Sequence, residues 1–396
     1  MEKEFNQAVI FAGGLGTRLK HITKKIPKPL IKINNLEFLD HLILNLSRFG
    51  FKKILILTSY KHSLFAKKYH NKKLYLNSEI TCLKEKKPLG TGGSLLNAKK
   101  KLESTFLLCN GDTYFDFNIN DLKRSLKKKS TLISAITKTK SSSKRYSKIK
   151  MKKGFVESFN DESKKNRLIN TGYCFVRKEI VNTIKKKVCS LEKDIFPILI
   201  KKKKLQGKIY NNLHNKFIDI GIPKDLNRAS KFLKNVQKKP SIFLDRDGVI
   251  NKNLGYVHKK KNFIWRKGIF KFIKNLNDNN YYIFVVSNQS GIGRGYYTEK
   301  DLEKLNSWIN FTLYKKGAHI DEFFHAPYFK NSNNKKFRKF SNLRKPNTGM
   351  IDLAKKKWKI DLKKSILIGD KLSDKQTAIK SKINYKIFNF SDKISL

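Results

Sequence analysis

The sequence predicts an α/β protein built from two Rossmann-like domains in tandem, the first around a mixed, mainly parallel sheet. Three observations carry this. Short apolar runs ending in Gly, Ser or Asp recur along the chain: QAVIFAGG from residue 7, KKILILTS from 52 and TFLLCNGD from 105. Stretches of helical length lie between them, such as EFLDHLILNLSRFG at 37–50. The same rhythm then restarts at SIFLDRDG, residue 241, just after a Lys-Lys-Pro link. Alternating strand and helix imply parallel sheets with ligands at the strand C-termini.

Taken in order, the first three runs and their helices form a parallel half. From about residue 131 the pattern is richer in strands, with TLISAITK, GFVESF and TGYCFV. IPKDLNRASKFLKNVQ reads as a helix that closes the first domain. The domain limits are therefore 1–235 and 241–396, joined by a linker at 236–240. In the second domain YYIFVVSNQSG, HIDEFFHAP and SILIGDKLSD read as strands, and TEKDLEKLNSWINFTLYKKG as a helix. NSNNKKFRKFSNLRKPN is a polar, basic loop.

Composition narrows the function classes. The length of 396 residues suits two domains, and 39% apolar residues suit ordinary cores. No run approaches the roughly 18 apolar residues of a membrane span. MEKEFNQAVIFAGG lacks the basic-then-apolar order of a signal peptide, so no membrane insertion is expected. Cys82, Cys109, Cys174 and Cys189 are widely spaced, which fits reduced thiols and a cytoplasmic location. The net charge of +57 comes from lysines scattered over the whole chain rather than one stripe. That reads as solvated surface, with no specific nucleic-acid partner, although it favours polyanionic substrates.

A first phosphate-handling motif is FAGGLGTRL, followed within 20 residues by PKPL. Gly13, Gly14 and Gly16 let a backbone turn bring N–H groups against phosphate oxygens, beside Thr17. Arg18 adds a two-pronged cation, and Lys28 sits between two prolines on a stiff backbone. With these residues the first 235 or so positions resemble the sugar-1-phosphate nucleotidyltransferases, of the D-glycero-D-manno-heptose 1-phosphate guanylyltransferase type. Four further segments match in order. PLGTGG, with Gly90, resembles the loop that contacts base and sugar. NGDTYFD places Asp112, and FIDIGIP places Asp219, as the two Mg²⁺ ligands. INTGYCF places Asn170 against the sugar, with Tyr173 as packing. The resemblance implies that a sugar 1-phosphate oxygen attacks the α-phosphate of a nucleoside triphosphate, most simply GTP, and pyrophosphate leaves. Mg²⁺, Arg18 and Lys28 would screen the two oxyanions. The chain departs from the family at SFNDESKKN, where Asp161 and Glu162 stand and the usual Glu-Lys-Pro lysine is missing. Lys164 and Lys165 are the neighbouring substitutes. Phe217 and Ile222 replace a Trp and a Thr.

A second constellation opens with FLDRDG. Asp245 and Asp247, two residues apart, can both reach one phosphate, as nucleophile and as proton donor. VVSNQSG supplies Ser287 and Asn288 as phosphate donors, RKPNTGM supplies Lys345, and SILIGDKLSD supplies Asp370 and a second acid, Asp374. Two carboxylates facing a phosphate demand a cation, so Asp245, Asp247 and Asp370 are the expected Mg²⁺ ligands. This ordered set resembles the haloacid dehalogenase-type phosphatases. DRDGVIN, SNQSGIGRG and RKP closely resemble segments of heptose 1,7-bisphosphate 7-phosphatases and of the related histidinol phosphatases. Arg294 and Arg344 then become substrate contacts. These relatives carry a structural zinc before the RKP segment. Here that loop has no cysteine and only His325, so no zinc is expected. Phe329, Phe337 and Phe340 are the residues expected to hold it instead.

The resemblances together imply a bifunctional enzyme of nucleotide-activated heptose synthesis. The phosphatase would yield a heptose 1-phosphate, which the transferase would consume. The alternatives are a pair acting on other sugar phosphates, a chain with one inactive half, and a nucleic-acid-binding protein.

Overall fold

The computed structural model describes residues 6–139, 146–159 and 167–387. The chain divides into two compact units, Met1–Lys234 and Asn235–Leu396, and the helix Pro223–Gln237 carries it from one to the next.

The first unit is built on a ten-stranded sheet. Gln7–Phe11 pairs in parallel with Lys53–Thr58 on one side and Thr105–Asn110 on the other, and Lys53–Thr58 pairs in parallel with Ser78–Lys84. These runs are continuously apolar because both faces are covered. Ala8, Ile10, Ile54, Ile56 and Leu107 enter one core; Val9, Leu55, Leu57 and Leu108 enter the other. The helix Phe38–Arg48 turns Leu39, Leu42, Ile43 and Leu46 into the first core. Leu168–Arg177 then runs antiparallel to both Thr105–Asn110 and Leu132–Lys138, which makes the sheet mixed. A separate two-stranded ladder joins Thr113–Asp116 to Lys216–Asp219. Because Phe11 lies opposite Asn110, the loops leaving these two strand ends start side by side.

The second unit has a five-stranded parallel sheet. Its order is Glu322–Ala326, Tyr282–Asn288, Ser241–Leu244, Ile366–Gly369 and Asn384–Ile387. Ile269, Phe272, Ile273 and Leu276 form the apolar stripe of the helix Ile269–Asp278 and pack on the sheet. The helix Glu299–Lys315 starts with a capping box between Thr298 and Asp301. The central strand runs straight into Asp245, and its two neighbours end at Asn288 and Gly369, so their loops gather at one edge. Among the described residues no helix is long and apolar enough to cross a membrane. The four cysteines are buried free thiols.

Candidate active sites

In the first unit the glycine loop follows Phe11. Gly13 lies against Ser59, and Gly14 is open on the side where a Cβ would project. Gly16 has φ +69°, and a Cβ there would lie 2.7 Å from Thr23 Cγ2 and 3.1 Å from Lys28 Cε. Glycine therefore lets the turn close down on Lys28. Lys28 Nζ reaches Asp112 Oδ2 at 3.3 Å. Asp219 arrives beside them through its register with Thr113, and the Ile220 N–H donates to Asp112 O at 3.0 Å. Asp219 Oδ1 accepts from the Gly221 N–H at 2.6 Å. Lys28 thus meets the Asp112 carboxylate beside the loop, and Asp219 sits on the strand paired with the one that follows Asp112; the two acids offer the hard oxygen donors that Mg²⁺ takes. Thr17 and Arg18 stand exposed on the turn Thr17–Leu19.

The second glycine loop also makes contacts within the unit. Gly90 has φ +71°, and a Cβ there would lie 2.4 Å from Cys189 O. The N–H groups of Gly92 and Gly93 donate to that same oxygen at 3.0 and 3.3 Å. Thr91 Oγ1 donates to Glu192 Oε2 at 2.8 Å and accepts from the Leu191 N–H at 2.8 Å. The glycines expected to face a nucleotide therefore admit the segment 187–192, and the Gly92 and Gly93 amides are taken up there.

That segment borders a cavity of about 870 Å³, lined among others by Asn110, Asn170, Gly172, Glu192, Lys193 and Lys201. Its size suits a sugar phosphate. Asn170 Oδ1 accepts from Ser134 Oγ at 2.8 Å and from the Gly172 N–H at 3.1 Å, which fixes the amide's orientation. Tyr173 is fully buried and donates to Thr113 O at 3.2 Å. Glu192, Lys193 and Lys201 were not singled out in the sequence. Their one local signal is Ser190, which caps the π-turn Leu191–Ile195, a local geometry frequent at functional sites. Asp161, Glu162, Lys164 and Lys165 lie outside the described residues.

In the second unit Lys345 is the hub. Its Nζ donates to Asp245 Oδ1 at 2.7 Å and to Val286 O at 2.8 Å, and pairs with Asp374 Oδ1 at 2.5 Å. Carboxylate oxygens of Asp245, Asp370 and Asp374 lie within 4.8 Å of one another. Burial first, then the charge of Asp374, outweighs Lys345 and lifts the Asp245 pKa to about 6. Burial opposes the charge on Lys345, yet Asp245 and Asp374 together raise its pKa above the ordinary lysine value. Burial raises Asp370 as well. Gly248 has φ +111°, and a Cβ there would lie 2.1 Å from Asp370 Oδ2. Asp370 Oδ1 is buried without a hydrogen-bond donor among the described residues. Three carboxylates around one ammonium leave an excess of negative charge that a divalent cation fits.

Two expectations change here. The Asp247 carboxylate does not join this cluster. Buried Arg246 Nη2 donates to both its oxygens, at 2.9 and 2.7 Å, while Asn251 Nδ2 and Gln289 Nε2 add bonds of 2.9 and 3.0 Å. These donors turn it away, and Asp374 stands with Asp245 and Asp370 instead. Asn288, expected to meet phosphate, is engaged at both ends of its amide by the Lys345 backbone, at 3.0 and 3.1 Å. It acts as a clamp on the lysine.

The Arg294 guanidinium lies over the Phe329 ring, 3.6 Å from its centroid. Arg344 donates to Tyr328 O at 3.2 Å, and burial, then the charge of Arg294, lowers its pKa. Phe337 packs with Ile292, Tyr297 and Leu302. Arg338 Nε donates to Ser332 O at 2.6 Å, and Ser332 Oγ donates to Gly293 O. Phe340, expected to help hold this loop, is instead 92% exposed. His325 lies 3.8 Å from Glu299, and burial lowers its pKa.

The nucleotidyl transferase family model matches residues 7–236, and the polynucleotide kinase 3 phosphatase family model matches residues 241–394. D-glycero-alpha-D-manno-heptose-1,7-bisphosphate 7-phosphatase of Photorhabdus laumondii is 44% identical over 132 residues, covering 33% of this chain and 72% of that protein. D-glycero-beta-D-manno-heptose-1,7-bisphosphate 7-phosphatase of Escherichia coli K12 is 36% identical over 148 residues, covering 37% and 78%. Among solved structures, HddC from Yersinia pseudotuberculosis is 31% identical with a TM-score of 0.51, covering 57% of this chain and 99% of its own. HddC complexed with GMP-PN gives a TM-score of 0.50 at the same identity and coverage of this chain.

Proposed function

The chain belongs to the nucleotidyl transferase family through its first unit and to the heptose-bisphosphate 7-phosphatases through its second, and from that pairing we propose a bifunctional enzyme of nucleotide-activated heptose synthesis. Residues 1–235 form the transferase, 236–240 the linker and 241–396 the phosphatase. The reading rests on one observation. The two site constellations belong to reactions in which the product of one is the substrate class of the other.

In the phosphatase, the substrate is D-glycero-α-D-manno-heptose 1,7-bisphosphate, the α form being supported by the 44% identical relative. Asp245, held against Lys345, attacks the 7-phosphorus. The bond from phosphorus to the sugar oxygen breaks, and Asp247 gives that oxygen a proton. A phospho-aspartate and heptose 1-phosphate result. Asp247 then takes a proton from water as the water attacks the phospho-aspartate, which releases phosphate and restores Asp245. Lys345 and the Ser287 hydroxyl balance charge on the phosphoryl oxygens. Arg294 and Arg344 contact the remainder of the substrate.

In the transferase, the glycine loop, Arg18 and Lys28 grip the triphosphate, and Asn170 and the cavity beside it receive the sugar 1-phosphate. GTP is favoured because HddC was solved with GMP-PN. Mg²⁺, held by Asp112 and Asp219 in one unit and by Asp245, Asp370 and Asp374 in the other, would supply charge neutralisation at the phosphates.

The test is one incubation of the full chain with the 1α,7- or 1β,7-bisphosphate, Mg²⁺ and an equal mixture of nucleoside triphosphates, read by mass spectrometry. GDP-heptose from the α anomer is expected. Asp245→Asn should stop 7-phosphate release and spare nucleotidyl transfer to supplied heptose 1-phosphate; Asp112→Asn should do the reverse. If both variants kept both activities, the site assignment would be wrong.

A further inference from the structure

Gln289 lies one residue beyond the segment expected to bind phosphate, and its neighbours use its whole amide. It is 2% exposed. Its Nε2 donates to Asp247 Oδ2 at 3.0 Å and to Ser287 Oγ at 2.7 Å, and its Oε1 accepts from the Tyr297 hydroxyl at 2.6 Å. With its nitrogen toward Asp247 the amide offers a donor to a carboxyl oxygen and an acceptor to the Tyr297 hydroxyl, which holds that orientation from the other end. Tyr297 is itself held. Its ring stacks on His258 at 4.6 Å, and a Cβ at Gly291 would lie 2.3 Å from its Cε1.

This has a consequence at each end of the amide. Ser287 Oγ receives a hydrogen bond from Gln289, so its own proton is released to point at a phosphate oxygen. Asp247 has one oxygen tied to Gln289, while Arg246 meets both and Asn251 meets the other. The carboxylate is thereby fixed away from the Lys345 cluster, in one orientation. Gln289 ties the proton-handling acid to the phosphate-gripping hydroxyl.

We propose that Gln289 is a positioning residue of the phosphatase unit, aiming Asp247 at the leaving oxygen and Ser287 at the phosphoryl group, with Tyr297 as its lock. This rests on the reading of the second unit as a phosphatase that uses Asp247 to protonate its leaving group.

The test compares two phosphate esters on the full chain. Heptose 1,7-bisphosphate has an alkoxide leaving group that needs a proton, whereas p-nitrophenyl phosphate releases a phenolate that does not. Gln289→Leu keeps the shape and removes the donors. It should lower kcat about 10²-fold on the bisphosphate, the lower range for a lost acid–base contribution. The loss on p-nitrophenyl phosphate should be about 10-fold smaller. Tyr297→Phe should show the same substrate contrast on a smaller scale, and add nothing in the Gln289→Leu background. All three tryptophans, Trp265, Trp308 and Trp358, lie in the second unit, so their fluorescence on heating checks its folding. If Gln289→Leu does not fold, Tyr297→Phe, which deletes one hydroxyl, carries the same comparison. Equal losses on both esters would mean a merely structural role, and wild-type kinetics in the folded variants would mean none; either overturns the proposal. A wild-type chain that cleaves neither ester overturns the phosphatase reading, and this inference with it.

Discussion

Replacing Lys345 with methionine should cost the second unit much of its stability as well as its activity. Lys345 is 5% exposed and stands between Asp245 and Asp374, which are 4% and 0% exposed. Its ammonium lies 2.7 Å from one carboxylate and 2.5 Å from the other. Methionine fills similar space without the charge, and leaves two buried carboxylates facing each other with no cation. Breaking a buried pair in this way costs about 3–5 kcal/mol. For a unit of this size that corresponds to a fall in Tm of about 10 °C. The assay is tryptophan fluorescence on heating, in EDTA at pH 7.5, since every tryptophan belongs to this unit. Excess Mg²⁺ should recover part of the loss, because a cation bound to the folded aspartates stabilises by mass action. Lowering the pH should also recover part of it, because the unpaired acids can then be protonated. A variant that melts with wild type in EDTA would refute the view that Lys345 compensates these charges.

Other outcomes follow from the same geometry. The folded pKa of Asp245, about 6, stands above its ordinary 3.8, so folding favours the protonated acid. Its contribution to metal-free stability should therefore fall as pH rises from about 4 to 6 and level off above that, and Mg²⁺ should raise Tm more at pH 7.5 than at pH 5. Phe337→Ala, which empties a buried contact with Ile292, Tyr297 and Leu302, should destabilise by about 3 kcal/mol, whereas Phe340→Ala should stay within about 0.5 kcal/mol in the same melt. Thr91→Val removes the bridge from the second glycine loop to Glu192 beside the cavity. It should raise the transferase KM for sugar 1-phosphate several-fold and leave phosphatase kinetics unchanged; initial rates of the two reactions would check both.

What the sequence disclosed was the residues whose chemistry is tied to a strand end. Asp112, Asp245 and Asp370 each follow a buried apolar run, and a short run with a terminal acid can be read locally. The allocation of donors could not be read in this way, because partners are distant in the chain. Asp247 is held by its neighbours Arg246 and Asn251 but also by Gln289, 42 residues away, and Lys345 meets Asp245 across 100. Gly90 announced a close approach, but a glycine does not say what approaches it; Cys189 does, in a segment without a motif. Asn288 looked like a phosphate donor until both ends of its amide were found on the Lys345 backbone. The second unit was the more legible because its motifs all sit at one edge of a single parallel sheet. In the first unit the cavity wall combines the strands Phe155–Phe159 and Leu168–Arg177, each paired antiparallel to a different neighbour, with a π-turn, and its lysines carry no local pattern. Residue type and spacing thus identify which groups do chemistry. Which of them are free to do it depends on who donates to whom, and that is settled only when the strands are side by side.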